Sequence, residues 1–218
     1  MRRIVVLAVV GVVLLVLVVA QLVLPGVAAQ ELRNNLEQSG TVLEVKVSSF
    51  PAIKLLWHRA DSVVVRMGRY RAPVSRLGQT LGGAGDAASL DASVQQLDLG
   101  PITLRDATLR KRGSDLVGSA TVTEADLRSA AFFLQNVEPI ASGNGSLTLR
   151  GKASILGLTA TVDATVTAQD GALVVAPNVP FGGIATLTLF NDPHIRVQSV
   201  SATNVTGGFR VTADATVS

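Results

Sequence analysis

The chain contains no cysteine among its 218 residues. Disulfide bonds, thiol catalysis and metal sites with cysteine ligands are therefore excluded, and packing alone must hold the fold together. Histidine is nearly as rare, because His58 and His194 are the only two and stand far apart. Neither has a metal-ligand spacing, so we predict no metal site.

Recognisable catalytic and nucleotide-binding motifs are missing as well. The sequence has no GxSxG motif and no glycine-rich phosphate loop, and its glycine pairs at 182–183 and 207–208 are typical of turns. Its carboxylates are scattered, so no two of them are singled out as an acid–base pair. We predict no catalytic residue, no cofactor and no enzyme activity; an envelope hydrolase or transferase is the weakest hypothesis.

Charged and aromatic side chains are also sparse, at 16% and 4% of the residues. Arg2 and Arg3 supply two of the three net positive charges, which leaves the rest of the chain close to neutral. A nucleic-acid-binding protein would present a clearly basic face. We therefore predict no nucleic-acid partner.

What the chain does have is an uncharged apolar run from Ile4 to Leu24. About 20 apolar residues cross the hydrocarbon core of a bilayer as a helix, and positive flanks such as Arg2 and Arg3 stay in the cytoplasm. The run predicts a single-pass anchor in the cell membrane with the following domain on the extracytoplasmic side. The alternative is a signal peptide cleaved after Val27-Ala28-Ala29, which would make the protein secreted or periplasmic.

This division gives an anchor or signal segment, residues 1–29, and an extracytoplasmic domain, residues 30–218. Leu32 and Leu36 lie four residues apart among polar residues, which predicts a short amphipathic helix ended by Gly40. Valine and threonine recur beyond it and favour strands. We expect a strand-dominated α+β domain of nine or ten strands and two or three short helices.

Several strands can be read from alternation of apolar and polar residues. Leu43, Val45 and Val47 are predicted to share one strand face, and Val63, Val65 and Met67 another. A change of phase at Gln95-Gln96 predicts a β-bulge. Hairpin turns are predicted at Arg112-Gly113-Ser114-Asp115 and Gln169-Asp170-Gly171.

The segment Thr123–Val137 has the spacing of a helix, with Glu138-Pro139 at its end. Phe132 and Phe133 widen its apolar surface, so such a helix should be enclosed by a sheet or face a ligand.

A second apolar stripe follows Phe50-Pro51. Ile53, Leu56 and Trp57 have helical spacing, with cations at the border of the stripe. The stripe would suit a membrane interface, and packing into the domain core is the alternative.

A cluster of arginines, Arg66, Arg69, Arg71 and Arg76, invites two interpretations. It would contact anionic lipid head groups, each cation near the surface contributing about 1 kcal/mol. Otherwise it is a solvated strand face.

The order of these segments resembles that of the actinobacterial LmeA-like phospholipid-binding proteins. The resemblance lies in the apolar N-terminal segment, the strand that ends in Ser49-Phe50-Pro51, the short helix AIKLLWHR and the valine-rich strand after it. The stretch Leu116–Ala131 also looks like that family's strand-then-helix middle. Ala52 departs from the pattern, since members usually have a bulky apolar residue there; so does Arg59-Ala60, where members often have a glycine.

The resemblance implies a curved antiparallel sheet partly wrapped around a helix, as in tubular lipid-binding folds, and phospholipid as the ligand. It also implies a role in cell-envelope lipid or glycolipid assembly. On it rests the expected lipid-binding site, with a head-group site of Arg59, Arg66 and Arg69. The expected lining residues are Phe50, Ile53, Leu56, Trp57, Phe132, Phe133 and Phe181.

Two hypotheses therefore stand side by side. In the first, the chain is a membrane-anchored extracytoplasmic phospholipid-binding protein. In the second, it is a structural or adaptor β-domain that binds an unknown envelope protein. The second predicts a fully filled core without a groove.

Overall fold

The structure is a computed structural model that describes residues 21, 23–52, 55, 59–72, 86–100, 102–123, 125–126, 134–155, 158–178 and 186–217. Within these ranges no helix has both the length and the apolar character needed to span a membrane. Most of the predicted anchor, from Ile4 to Leu24, lies outside the described residues.

The described chain forms two sheets and one long helix, α1, at residues 23–37. A seven-stranded sheet has the order β1-β2-β3-β4-β5-β12-β11, and a five-stranded sheet has the order β10-β9-β8-β7-β6. The strand bounds are β1 Gly40–Ser48, β2 Ala60–Arg71, β3 Ala87–Asp98, β4 Thr103–Arg112, β5 Asp115–Thr123, β6 Leu134–Gly143, β7 Ser146–Ile155, β8 Leu158–Gln169, β9 Ala172–Pro177, β10 Leu187–Phe190, β11 Ile195–Val205 and β12 Gly208–Val217.

The larger sheet is apolar on one face and polar on the other, because successive side chains of a strand point to opposite sides. One row of cross-strand partners, which we call the central row, runs through all seven strands. Its members are Val45, Val65, Ala92, Leu109, Gly118, Ala213 and Val200. The adjacent row on the opposite side contains Glu44, Arg66, Ser93, Thr108, Ser119, Thr212 and Ser201. We call the two sides the apolar face and the polar face.

Helix α1 covers one margin of the apolar face. Leu32 and Leu36 pack against the buried cluster of Val42, Val65, Met67, Tyr70 and Ala72. The helix ends where the Ser39 amide donates to the Leu36 carbonyl at 3.0 Å, and β1 begins at the next residue. The amphipathic helix predicted around Leu32 and Leu36 is confirmed.

The five-stranded sheet covers the opposite margin. Leu147 from β7 and Val166 from β8 are buried against Val122, Val200, Ala202 and Phe209 of the larger sheet. The edge strand β11 also donates to the turns of the smaller sheet, from Val197 N to Gly171 O at 2.8 Å and from Val200 N to Gly145 O at 3.1 Å. These bonds satisfy donors that an edge strand would otherwise leave open.

Both of those turns require glycine. Gly145 and Gly171 have φ angles of +74° and +84°. A Cβ atom on Gly171 would lie 3.2 Å from Arg196 Cγ, and one on Gly145 would lie 3.3 Å from Ser199 Cβ. Glycine supplies the left-handed backbone without this crowding. The hairpin turns predicted at residues 112–115 and 169–171 are both confirmed.

The predicted all-antiparallel sheet is wrong at one pair of strands. β2 and β3 run parallel, in register from Ala60 opposite Ala87 to Arg71 opposite Asp98. A parallel pair needs a crossover of a dozen or more residues, and the chain between the two strands is long enough for one. The sheet is curved and unclosed, with β1 and β11 at its edges.

The predicted bulge and one predicted strand face also need correction. The change of phase at Gln95-Gln96 is confirmed, because Val94 and Leu97 both pack against the cluster that contains Met67 and Tyr70. It does not shift the register of β3 with its neighbours; the register shift lies in β4 between Arg105 and Thr108, where Asp106 has a φ of 48°. In β1 a register shift at Leu43 places Val42, Val45 and Val47 on the apolar face, and leaves Leu43 54% exposed. The predicted triplet containing Leu43 was therefore wrong by one residue.

The helix predicted for Thr123–Val137 is wrong at its C-terminal end. Residues 125 and 126 are helical, but Leu134–Gly143 forms β6 and pairs with β7 through Glu138 and Pro139. The residues between lie outside the described part. The helix that packs on the curved, unclosed sheet is α1 rather than the one predicted at residues 123–137.

Phe209 joins the two sheets and offers a test of this packing. It is buried in the cluster formed with Leu147 and Val166. We expect Phe209→Ala to lower the free energy of unfolding by about 3–5 kcal/mol, because it leaves a cavity between the sheets. Urea denaturation followed by circular dichroism measures the loss. Val205→Ala, at an exposed position of the same hairpin, should change stability by no more than about 0.5 kcal/mol; equal effects would contradict the packing.

Candidate functional site

The middle of the apolar face lies between its two covers. In the central row, Val65 is buried near α1 and Val200 is buried under the smaller sheet. Leu109, Gly118 and Ala213, on the strands between, are only partly buried. An apolar surface that is neither filled nor open to bulk water is typical of ligand-binding clefts.

Small side chains lower the surface at this point. Leu109 and Gly118 are direct partners, and Ala213 lies beside Gly118. A Cβ atom built on Gly118 would lie 3.6 Å from Leu109 Cδ1, which is an ordinary contact. The face therefore has a depression at Gly118 where a methyl group fits without displacement.

A single cation interrupts the described part of the apolar face. Lys111 lies two residues from Leu109 on the apolar face, where it is paired with Leu90 and Leu116, and it is only 4% exposed. Its ammonium group donates to the Ala87 carbonyl at the start of β3. A buried charged group is destabilising unless it is hydrogen-bonded, and this bond meets that requirement. Lys111 thus places a positive charge at one end of the otherwise apolar face.

The same end of the sheet carries a contact that sequence reasoning missed. The side-chain amide of Gln21 donates to the Ser49 carbonyl at 3.1 Å and accepts from the Ala52 amide at 2.7 Å. Gln21 thus bonds to the backbone on both sides of Phe50-Pro51. Its isolated polarity in an apolar run is the local signal of this contact.

Phe50 itself points away from the protein. Its side chain is 76% exposed, while the neighbouring Ser49 and Ala52 are buried. The Phe50 amide donates to the Asp61 carboxylate at 2.5 Å. Six further lining predictions lie outside the described residues, namely Ile53, Leu56, Trp57, Phe132, Phe133 and Phe181.

Two open hollows lie elsewhere on the surface. One, of about 530 Å³, is bordered by Arg71, Asp98 and Thr103, and one of about 480 Å³ by Glu138, Arg150 and Asp163. Each is bordered by an ion pair, Arg71 with Asp98 at 3.9 Å in the first and Arg150 with Asp163 at 2.8 Å in the second. In the described chain, no group of three or more His, Asp or Glu side chains is placed to hold a metal ion.

Comparison with known proteins adds to this geometry. A model of the family described as LmeA-like phospholipid-binding matches residues 15–214. The chain belongs to the LmeA-like phospholipid-binding family. The resemblance inferred from the sequence is thereby confirmed, and the family is a lipid-binding one rather than an enzymatic one.

Two other comparisons add little to the family assignment. No curated protein matches the sequence. Among solved structures, a fragment of a STAR-related lipid transfer protein from Xanthomonas axonopodis has 12% sequence identity and covers 52% of this chain and 76% of its own. Its TM-score of 0.18 is too low to indicate a shared overall fold.

The arginines predicted to meet the head group of a phospholipid lie in two places. Arg66 and Arg69 project from the polar face, where Arg66 pairs with Asp91 at 3.0 Å and Arg69 donates to Gln96 at 3.2 Å. Arg59 is exposed just before β2, at the same end of the sheet as Lys111. The role of all three stays a prediction.

The Arg66–Asp91 pair perturbs the ionisation of both groups. The hydrogen bond from Arg66 lowers the pKa of Asp91 below its usual value, and burial opposes it. The same bond raises the pKa of Arg66. Both side chains are more than a third exposed. Solvent screening therefore limits the contribution of the pair to the free energy of unfolding to at most about 1 kcal/mol.

This coupling makes a pH-dependent prediction. Because the pKa of Asp91 is lower in the folded state, its stabilisation is present above the unfolded pKa of about 3.9 and is lost as pH falls through the folded value. In Arg66→Gln, carbon-13 NMR of the Asp91 carboxyl should show its pKa moving up toward the usual value. Lys46→Gln, which leaves the pair intact, is the control; an unchanged Asp91 titration in Arg66→Gln would contradict the assignment.

Proposed function

We propose that the protein binds a phospholipid whose acyl chains lie along the apolar face between α1 and the smaller sheet. Membership of the phospholipid-binding family supports the ligand class. The observation that carries the placement is the central row, apolar in all seven strands and only partly buried at Leu109, Gly118 and Ala213.

Hydrocarbon is the ligand part that such a face favours. Each CH₂ group transferred from water to an apolar environment contributes roughly 0.8 kcal/mol. Valine, leucine and alanine offer no directional bonds, so the acyl part is bound by shape and area. We infer that the acyl chain of the ligand can vary in chemical structure with little effect on binding, whereas added bulk near Gly118 weakens binding.

We place the head group at the end of the face that carries Lys111 and Arg59. Ionised phosphate forms strong charge-assisted hydrogen bonds with ammonium and guanidinium groups. Arg59 is the one of the three predicted arginines that stands at this end, whereas Arg66 and Arg69 belong to the polar face. In this arrangement the phospholipid lies along the strands, with its phosphate at the strand ends near Lys111 and Arg59.

We further propose that residues 4–24 anchor the domain in the cell membrane and leave it on the extracytoplasmic side. The bonds of Gln21 to Ser49 and Ala52 support an anchor over a cleaved signal peptide. Cleavage after Ala29 would remove Gln21 and the first turns of α1 from the fold. We also propose a role in cell-envelope lipid or glycolipid assembly, which rests only on the resemblance to the family.

The adaptor hypothesis makes the opposite prediction about the central row. A domain that only binds a protein partner needs no depression in its apolar face, and its core would be filled by its own side chains. The partial exposure of Leu109 and the space beside Gly118 favour the lipid-binding hypothesis.

Gly118 provides the test. A leucine there would fill the depression and displace about four CH₂ contacts, roughly 3 kcal/mol, which corresponds to about a hundredfold weaker binding. Gly118→Ala is the matched control, since its added carbon meets only an ordinary contact. We expect native mass spectrometry of the full chain, released from detergent, to show bound phospholipid in the wild type and Gly118→Ala but not in Gly118→Leu.

Thermal unfolding of both variants separates blocked binding from a damaged fold. The proposal requires Gly118→Leu to remain folded and lipid-free. It is overturned if the wild-type chain carries no phospholipid and takes none from added vesicles, or if a folded Gly118→Leu binds as the wild type does.

A further inference from the structure

Three exposed apolar side chains lie where α1 begins. Phe50 is 76% exposed, and Val23 and Val27, one helical turn apart in the first turns of α1, are 52% and 57% exposed. Gln21 joins the two elements through its bonds to Ser49 and Ala52. Isolated exposed apolar residues need no explanation, but a group at one end of a domain indicates a contact surface.

The Phe50 ring is held outward rather than left free. The backbone around it is tied at three points, by the Gln21 bonds to Ser49 and Ala52 and by the bond of the Phe50 amide to Asp61. Ser49 and Ala52 are buried on either side. These bonds fix the backbone, and with it the direction in which the Phe50 side chain leaves the loop, so the exposure of the ring follows from the conformation of the loop.

The chain preceding Gln21 indicates what covers this surface. Residues 4–20 are uncharged and apolar, and they end at the residue that holds the loop. Charges of both signs stand at the same end of the sheet, among them Arg59, Arg112, Asp86 and Asp115, so the surface is not suited to electrostatic attraction. Apolar contact with lipid is the chemistry that remains.

We propose that Phe50, with Val23 and Val27, is a membrane-contact surface that inserts into the bilayer holding residues 4–24. The inference rests on the anchoring proposed above and adds the orientation of the domain. Aromatic and aliphatic side chains on such surfaces lie at the boundary between head groups and acyl chains. The end of the apolar face near Lys111 then opens toward the lipid from which its ligand comes.

The absence of cysteine makes a site-specific probe possible. In full-length Phe50→Cys, an environment-sensitive NBD label is attached, and the chain is reconstituted in phosphatidylcholine vesicles with and without doxyl-labelled phosphatidylcholine. We expect a blue-shifted emission and quenching by the doxyl lipid. Raising the salt concentration should leave both unchanged.

Val205→Cys is the matched control, because Val205 is an exposed apolar residue at the opposite end of the larger sheet. Its label should show neither the shift nor the quenching. The Phe50→Cys label is also measured in the Gly118→Leu background, where quenching by a lipid bound on the apolar face is removed. Gln21→Leu, which keeps the segment apolar but removes the bonds to the loop, should weaken the quenching at position 50.

Flotation of the labelled chain with the vesicles separates the two proposals. Flotation with quenching at position 50, retained in the Gly118→Leu background, supports the contact surface. Flotation without quenching overturns the inference and leaves anchoring standing. Failure to float overturns both anchoring and the inference, whereas phospholipid binding is judged separately by mass spectrometry.

Discussion

The structure depends on one constraint, which is that the apolar face of the larger sheet is wider than α1 and the smaller sheet together cover. The seven strands of the larger sheet all contribute apolar residues to the central row, and water must be kept from them. Helix α1 shields one margin and the smaller sheet the other. Between these covers, Leu109, Gly118 and Ala213 of the central row are only partly buried. This is the place where we propose that the ligand lies.

Much of the larger sheet was predictable because the signal is local. Val63, Val65 and Met67 stand at every second position of a valine-rich run, and the structure places them together on the apolar face. Leu32 and Leu36 have helical spacing and pack as that spacing predicts. In each case the period of the apolar residues is set by the geometry of a single element, so no knowledge of its partner is needed.

The remainder depended on contacts between distant parts of the chain. Alternation does not tell whether neighbouring strands run parallel, so the pairing of β2 with β3 was missed. Leu134–Val137 continued a helical spacing, but pairing with β7 makes this segment a strand, and tertiary context overrides local preference. The bonds of Gln21 to residues about 30 positions away had no local signature beyond the polarity of one side chain.

The order of strands in the larger sheet has a consequence for how the protein folds. β5 pairs with β12, although the whole smaller sheet lies between them in the sequence. Proteins dominated by such distant pairings fold slowly, because long loops must close before the contacts form. Until β12 is in place, β5 is an open edge beside an apolar surface, which is a template for aggregation. A chaperone or an early-bound lipid that covers this surface until the β11–β12 hairpin has formed would reduce that aggregation.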